Sequence, residues 1–556
     1  MHKQVRFQTS FRLTTIVAIV MTISALFAFR PTMAENNNIK LSDIQIQEGD
    51  IVDYQISASG NYVVYLADQD TDEVIELYSV PTDGSTPPIK LNSTLTTGGW
   101  VGSYKISADS NQVVYRANQD LAYQWELYSA PIDGSTPPIK LNGPLVNEHV
   151  GRYQISADSS QVVYETYENF IGLTMAFYSV PLDGSASPIQ LTLSPPYETG
   201  EFQINAAGSH VVYLDDQDTS GVDELYSVPI DGSALPTKLN SPLINEGDVK
   251  VFQISADGTQ VVYGASQVIN HVIHEIQEIY SVPIDGSSSA IRLNETLGSN
   301  GYIRASSLKI SADSSQVIYL SEYESLSGVE LYSVPIDGST GPIVLNGMLV
   351  SGGGVGKFQI SADSSQVVYI AVQDTAGLLE LYSAPIDGTT TATKLNFPLT
   401  NEGVGSFEIS SDSSQVVYTV GEGDFLVFSE LYVVPIDGSS VSTKLNGQLA
   451  QNGSVQSFKI NANSSRVVYA AEQDTTGVIE LYSVPIDGNT PPNKLNGVLA
   501  NGGNVESFLI SSNSNWVVYD ADQDTDEMSE LYATEEPHVE TYLQFLPIVV
   551  TYDQDS

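Results

Sequence analysis

FQISADSSQVVYIAVQDTAGLLELYSAPIDGTTTATKLN, Phe358 to Asn396, decides the fold, because the chain keeps repeating it. The leucine of its closing KLN recurs at Leu41, Leu91, Leu141, Leu191, Leu239, Leu293, Leu345, Leu395, Leu445 and Leu495. A spacing of about fifty residues held along the whole chain is the signature of a repeat architecture. Each copy reads as four strands. FQIS is short and alternating and runs into the turn SADSSQ; QVVYxA is a continuous apolar run, ELYSVPI is another, and PIDGS turns into xxKLN. Val, Tyr, Ile and Leu fill the strands, while Asp, Gly, Ser and Pro mark the breaks. Unbroken apolar runs imply strands covered on both faces, as in sheets stacked about 10 Å apart. No stretch after the N-terminal leader has the 3.6-residue period of a long helix. The expected fold is all-β, a β-propeller of about ten four-stranded blades.

The two ends of the repeat region complement each other. Asn38-Ile39-Lys40-Leu41 is a fourth strand that precedes any first strand, and the last repeat, Ser507 to Tyr532, has FLIS, WVVYDA and ELYA but no fourth strand. Pairing residues 38–42 with the last blade would close one ring and remove its exposed edges. Two five-bladed propellers, the alternative, would want two such seams. Ten blades packed about 10 Å apart need a ring radius of roughly 16 Å, wide enough for a water-filled channel.

SADSSQVVY followed by ELYSVPIDG resembles the SPDG…IAF…IYVMNLDG pattern of TolB-like, WD40-like propeller repeats, over Ile39 to about Tyr532. The chain departs from that pattern in having Ala where the family has Pro, and in its longer loops. The resemblance implies a propeller and a protein-interaction role; the N-terminal domain of TolB has no counterpart, so the envelope function of TolB is not carried over. Propeller scaffolds host binding modules, lyases and peptidase accessory domains alike.

Composition narrows the partners. Lys+Arg 21 against Asp+Glu 67 gives a formal charge of -46. Residues 1–12 are basic, Leu13 to Phe29 is an uncharged apolar run, and Thr32-Met33-Ala34 offers a small-residue cleavage site, the order of a secretory signal. An uncleaved anchor is the alternative, since the run is only just short of a spanning helix. The organisation expected is a signal peptide over 1–34, the propeller over 35–534 and a tail over 535–556, in a chain that is secreted, periplasmic or held at a bacterial cell surface. Nucleic acid is repelled by such a surface, no membrane insertion is expected once the signal is removed, and the partner expected is a protein or a cationic ligand. The absence of cysteine excludes disulfides and thiol chemistry.

The turns SADSSQ and PIDGS are nearly constant, whereas the loops on the other face vary, as in QDTDEVI, ENFIGLTM and SQVINHVIHEIQ. A ligand is therefore expected on the variable-loop face. Asp109, Asp158, Asp313 and Asp363 in the first turn, and Asp133, Asp285 and Asp437 in the last, read as turn-capping residues. Lys90, Lys140, Lys394, Lys444 and Lys494 of the KLN strand read as charges that discourage edge-to-edge association. The first blade carries Asp68, Asp70, Asp72 and Glu73, and the last repeats the string at Asp522, Asp524, Asp526 and Glu527. In a closed ring these blades are neighbours, and Asp68, Asp70, Asp72, Asp522, Asp524 and Asp526 become candidate Ca²⁺ ligands. The spacing is not that of an EF-hand, because Glu73 stands at the glycine position and Ser79 at the terminal glutamate. Asp215, Asp216 and Asp218 add acids in the fourth blade. His271 and His274 are spaced by three, which in a strand turns them to opposite sides, so no shared metal is expected.

No nucleophile elbow, P-loop or dinucleotide fingerprint occurs, and only about twenty-four residues follow the last blade, too few for a catalytic domain. The leading expectation is a secreted, non-catalytic propeller that binds a protein or ligand, with no cofactor required and Ca²⁺ as an option. The alternatives are a propeller-type lyase or glycan-processing enzyme, and a calcium-dependent surface or adhesion module.

Overall fold

The computed structural model describes residues 38–43, 49–168, 174–192, 201–219, 221–243, 247–266, 275–297, 301–323, 328–422, 427–524 and 528–537. The leader over 1–34, most of the tail, His271, His274, Asp526 and Glu527 lie outside the described residues.

Ten antiparallel sheets follow one another along the chain. Blade 1 is typical: Ile51–Ile56, Tyr62–Ala67, Glu76–Pro81 and Ile89–Lys90 lie side by side in that order. The VVY run forms the second strand, with Val63, Val64 and Tyr65 all fully buried, as a strand sandwiched between neighbouring sheets requires. Its tyrosine faces the tyrosine of ELYSVP on the third strand, and the pair stacks with centroids 5.3 Å apart in Tyr65–Tyr78. Every blade repeats this pair, through Tyr519–Tyr532 in the tenth.

The invariant turns do structural work. Asp363 Oδ1 accepts the Ser365 amide at 3.0 Å, and Asp387 Oδ1 the Thr389 amide at 3.0 Å, so the repeated aspartates hold their own backbone as their positions suggest. Ser364 sits at φ 60, in the left-handed region, and its Oγ accepts the Asp313 amide of the preceding blade at 3.1 Å. Ser413 does the same for Asp363 at 3.0 Å, so one turn both reverses the chain and ties adjacent blades.

Ten apolar clusters occupy the ten interfaces between consecutive blades, including blade 5 with blade 6 and blade 10 with blade 1. An open arc would have nine, and two five-bladed bodies would break the contact between blades 5 and 6. The ring is closed and single. Its seam is the expected one: Ile39 pairs with Ala533 and Lys40 with Tyr532, antiparallel. Ser512 Oγ donates to Ala58 O at 2.6 Å and Asn513 Nδ2 to Ser59 O at 3.1 Å across the same joint.

The first strands of adjacent blades converge, which makes them the inner wall of the ring. The Gln of FQIS stitches this wall: Gln154 Nε2 donates to Phe202 O at 2.7 Å, Gln253 to Leu308 O at 2.7 Å and Gln359 to Phe407 O at 3.0 Å, each reaching the next blade. Blade 6 departs from the pattern. Its first strand is split into Tyr302–Arg304 and Lys309–Ile310 by a 3-10 turn at Ala305–Ser307, and Glu275–Ile276, from the long loop of blade 5, pairs with the outer half.

Candidate functional site

The acidic seam is largely committed to structure. Asp68 is nearly buried, and its Oδ1 accepts the Asp50 amide at 2.7 Å; Asp50 in turn accepts the Ser529 amide of blade 10 at 3.1 Å. Asp70 is ion-paired to Lys90 at 2.7 Å and Asp524 to Lys40 at 2.9 Å. Asp72 is exposed and Asp522 half-buried. Among the described residues, no three His, Asp or Glu side chains gather into a group that could hold a metal ion.

The KLN lysines are not loose edge charges. Each of the eight cations on a fourth strand (Lys40, Lys90, Lys140, Lys238, Arg292, Lys394, Lys444 and Lys494) is ion-paired to the glutamate of the adjacent ELY strand. That glutamate also accepts the neighbouring tyrosine hydroxyl, as Glu126 does from Tyr128 at 2.9 Å. Burial works against the charge on Lys90, but Asp70 and Glu76 outweigh it and hold its pKa above the ordinary value. A charge kept beside a buried carboxylate is part of the blade, and its spacing reflects that role.

Apart from the leader, the chain has seventeen cations, and the other nine are placed differently. Seven lie on the inner wall: Lys105, Arg152, Lys250, Arg304, Lys309, Lys357 and Lys459. Arg152 forms a two-pronged pair with Glu165, and Lys250 pairs with Asp248 at 2.6 Å. Lys105, Arg304, Lys309, Lys357 and Lys459 have no ion-pair partner among the described residues. Arg116, on the second strand of blade 2, lies over the Trp125 ring at 4.7 Å and reaches only carbonyl oxygens. Arg466 is buried beside Glu536. In a chain carrying 67 acids, the cations without an ion pair among the described residues are gathered on the inside.

Two concavities expose most of them. One, of about 620 Å³, runs from blade 2 to blade 5 and sets Lys105, Arg116, Arg152 and Lys250 against Glu201 and Asp223. Burial pulls the Lys105 ammonium below its ordinary pKa, and the ammonium lies 5.8 Å from the centre of the Tyr153 ring. The other, of about 400 Å³, spans blades 6 to 8; Arg304, Lys309 and Lys357 line it and no acid does. Both volumes fall in the range of small-molecule sites, roughly 300–1,000 Å³. Asp223 precedes the third strand of blade 4, so a variable loop contributes to the first concavity.

These inner cations were not among the candidates the sequence suggested. The available signal was positional: Lys105, Lys309 and Lys459 stand where other repeats have the stitching Gln, and Arg152 and Lys357 stand one residue before the aromatic. Sorting charges by place in the repeat separates them from the KLN lysines.

The sequence matches no protein-family profile, and no curated protein matches it either. Among solved structures, the chain is similar to one from a study of two prolyl endopeptidases, at 12% identity and TM-score 0.36, covering 68% of this chain and 55% of that one. It is similar to a eukaryotic initiation factor at 10% identity and TM-score 0.45, covering 79% and 95%. Dipeptidyl peptidase 4 of Porphyromonas gingivalis matches at 11% identity and TM-score 0.37, covering 84% and 55%. The chain thus spans about half the length of the two peptidase chains. At these identities and scores no activity is carried across.

Proposed function

We propose that this chain is an exported binding propeller that holds a ligand against the inner wall of its ring and carries out no bond-making step of its own. The observation that supports this reading is the segregation of charge. Outer cations are each neutralised by a glutamate, whereas five inner ones form no ion pair among the described residues of a molecule of formal charge -46. Grouping like charges costs stability, so unpaired cations in a concavity favour a bound counter-charge. The variable loops border that wall and are suited to selecting which ligand enters.

The seam carboxylates give less support to a calcium-bridged module, because Asp70 and Asp524 would have to release Lys90 and Lys40 first. A direct test is hydrogen–deuterium exchange on residues 35–556 with a panel of small acids and saccharides. Ligand-dependent protection should concentrate on the first strands. Protection confined to the outer strands, or turnover of any panel member, would overturn the reading.

A further inference from the structure

We infer that the concavity between blades 6, 7 and 8 recognises a small organic anion, one carrying a carboxylate, sulfate or phosphate on an uncharged polar body. This rests on the binding reading above and goes further by assigning the site and the ligand chemistry.

The lining sets polar and cationic side chains beside Leu320, Phe358 and Phe407. Arg304, Lys309 and Lys357 supply positive charge from two consecutive blades, and Ser306, Ser406 and Gln359 supply neutral polar groups. No Asp or Glu lines this concavity, although acids outnumber bases about three to one in the chain. The other concavity mixes both signs and can satisfy itself. This one cannot.

The site is also held in shape before any ligand arrives. Ser307 Oγ donates to Arg304 O at 2.6 Å and accepts the Leu320 amide at 2.9 Å, locking the 3-10 turn that interrupts the wall. That turn replaces regular strand between Arg304 and Lys309, so both sit at a break that the other first strands do not have among the described residues. The ammonium of Lys309 lies 5.2 Å from the Phe358 ring centre, and its one hydrogen-bond acceptor among the described residues is Phe358 O at a long 3.4 Å. A charge anchored through its stem with its head poorly satisfied is poised to take a better acceptor. Gln359, one residue along, is already used to stitch blade 7 to blade 8, which fixes the floor.

Size and field together select the ligand. About 400 Å³ admits a small molecule and not a folded partner. The acidic exterior repels a long polyanion along its whole length, whereas a compact species with one to three charges meets the three cations and little else.

The test is calorimetric titration of residues 35–556 at low salt with citrate, glucuronate and inorganic sulfate, with glucose as the uncharged control. At least one anion should bind, with Kd below about 1 mM. Arg304→Ser with Lys357→Ser should weaken it at least tenfold, while Lys105→Ser should change it less than twofold. Unchanged melting temperatures of the variants would show that the loss is not unfolding. If anions bind but only Lys105→Ser or Arg116→Ser matters, the assignment to this concavity falls and the binding propeller stands. If only an uncharged ligand protects the inner wall, the anion assignment again falls alone. If nothing binds the inner wall, both fail.

Discussion

Lys40 and Glu530 are 490 residues apart in the chain and meet in an ion pair of 2.5 Å. The glutamate side chain is 3% exposed and also accepts the Tyr532 hydroxyl at 2.6 Å, so the first described strand carries the counter-charge for the last blade. Within blades 1 and 2 the same pairing joins residues 14 apart. The seam is therefore built from the standard blade contact, made between the two ends of the polypeptide.

Lys40→Ala should leave Glu530 buried beside Asp524 without a cation and cost about 1–3 kcal/mol. Urea denaturation checks this, and Lys394→Ala, whose partner Glu380 is as buried as Glu530, is the internal comparison. A larger loss at Lys40 than at Lys394 is expected, because only the first also loosens the joint of the ring.

Asp215 gives the protein a pH-sensitive blade. The second strand of every blade has a residue at this place, and it is alanine in Ala67, Ala117, Ala265, Ala371, Ala471 and Ala521, each opposite a glutamate. In blade 4 it is Asp215, fully buried, with only the Gln217 and Asp216 amides among the described residues to oppose its loss of hydration. Burial, then the neighbouring Asp216, pushes its pKa up to about 7. A carboxyl raised in the folded state favours folding while protonated, and that advantage disappears as pH climbs through 7. Asp215→Ala should therefore stabilise the protein most at pH 8, by about 1–3 kcal/mol, and by less at pH 5, where the folded carboxyl is protonated while the unfolded one is already largely ionised. Melting curves at the two pH values read the difference.

Arg466 and Glu536 form a buried pair at a distance of 4.0 Å, with Arg466 Nε donating to Ser483 Oγ and Asn461 donating to the carboxylate at 3.0 Å. Burial raises Glu536 to about 7, against the pull of Asn461 and Arg466. Arg466→Gln restores the residue most repeats carry there, as at Gln366, yet removes the cation that faces Glu536. The expected loss is about 2–4 kcal/mol at pH 8 and smaller at pH 5, where Glu536 takes up a proton. Adding Glu536→Gln should recover most of it. Chemical denaturation of the single and double variants at both pH values decides.

Gln154 both donates to Phe202 O and accepts the Ile204 amide at 3.3 Å, making two links between blades 3 and 4. Gln154→Ala should cost about 1–2 kcal/mol and speed amide exchange at Ile204 more than in blade 8. Uniform acceleration around the ring would contradict a local stitch.

Period and strand pattern were enough to read ten blades and their closure, because each repeat states its core in the same words: VVY, ELY, PIDG, KLN. Residues 38–42 were legible as a displaced fourth strand for the same reason. Asp109 and Asp133 were legible as turn residues because an Asx contact is local, reaching two positions along. The ion pairs of the KLN lysines were not legible, since their glutamate partners lie 14 residues back across a strand pair. The inner cations were harder still. Lys309 and Lys357 are 48 positions apart in sequence and come together only when blades 6 and 7 pack. The broken strand of blade 6 had no announcing glycine or proline; Ala305-Ser306-Ser307 reads as ordinary strand edge.

The closing strand has a kinetic consequence. Ile39 and Lys40 pair across the joint with Ala533 and Tyr532, Leu41 adds an amide bond to Leu531 O, and these partners are among the last of the ring to leave the ribosome. Nine blade contacts can assemble as synthesis proceeds, but the tenth waits until the earliest and latest segments coexist. Loop-closure entropy grows slowly with length, so the delay is one of order rather than of insurmountable cost. The joint is thus the one blade contact whose completion depends on both ends of the polypeptide.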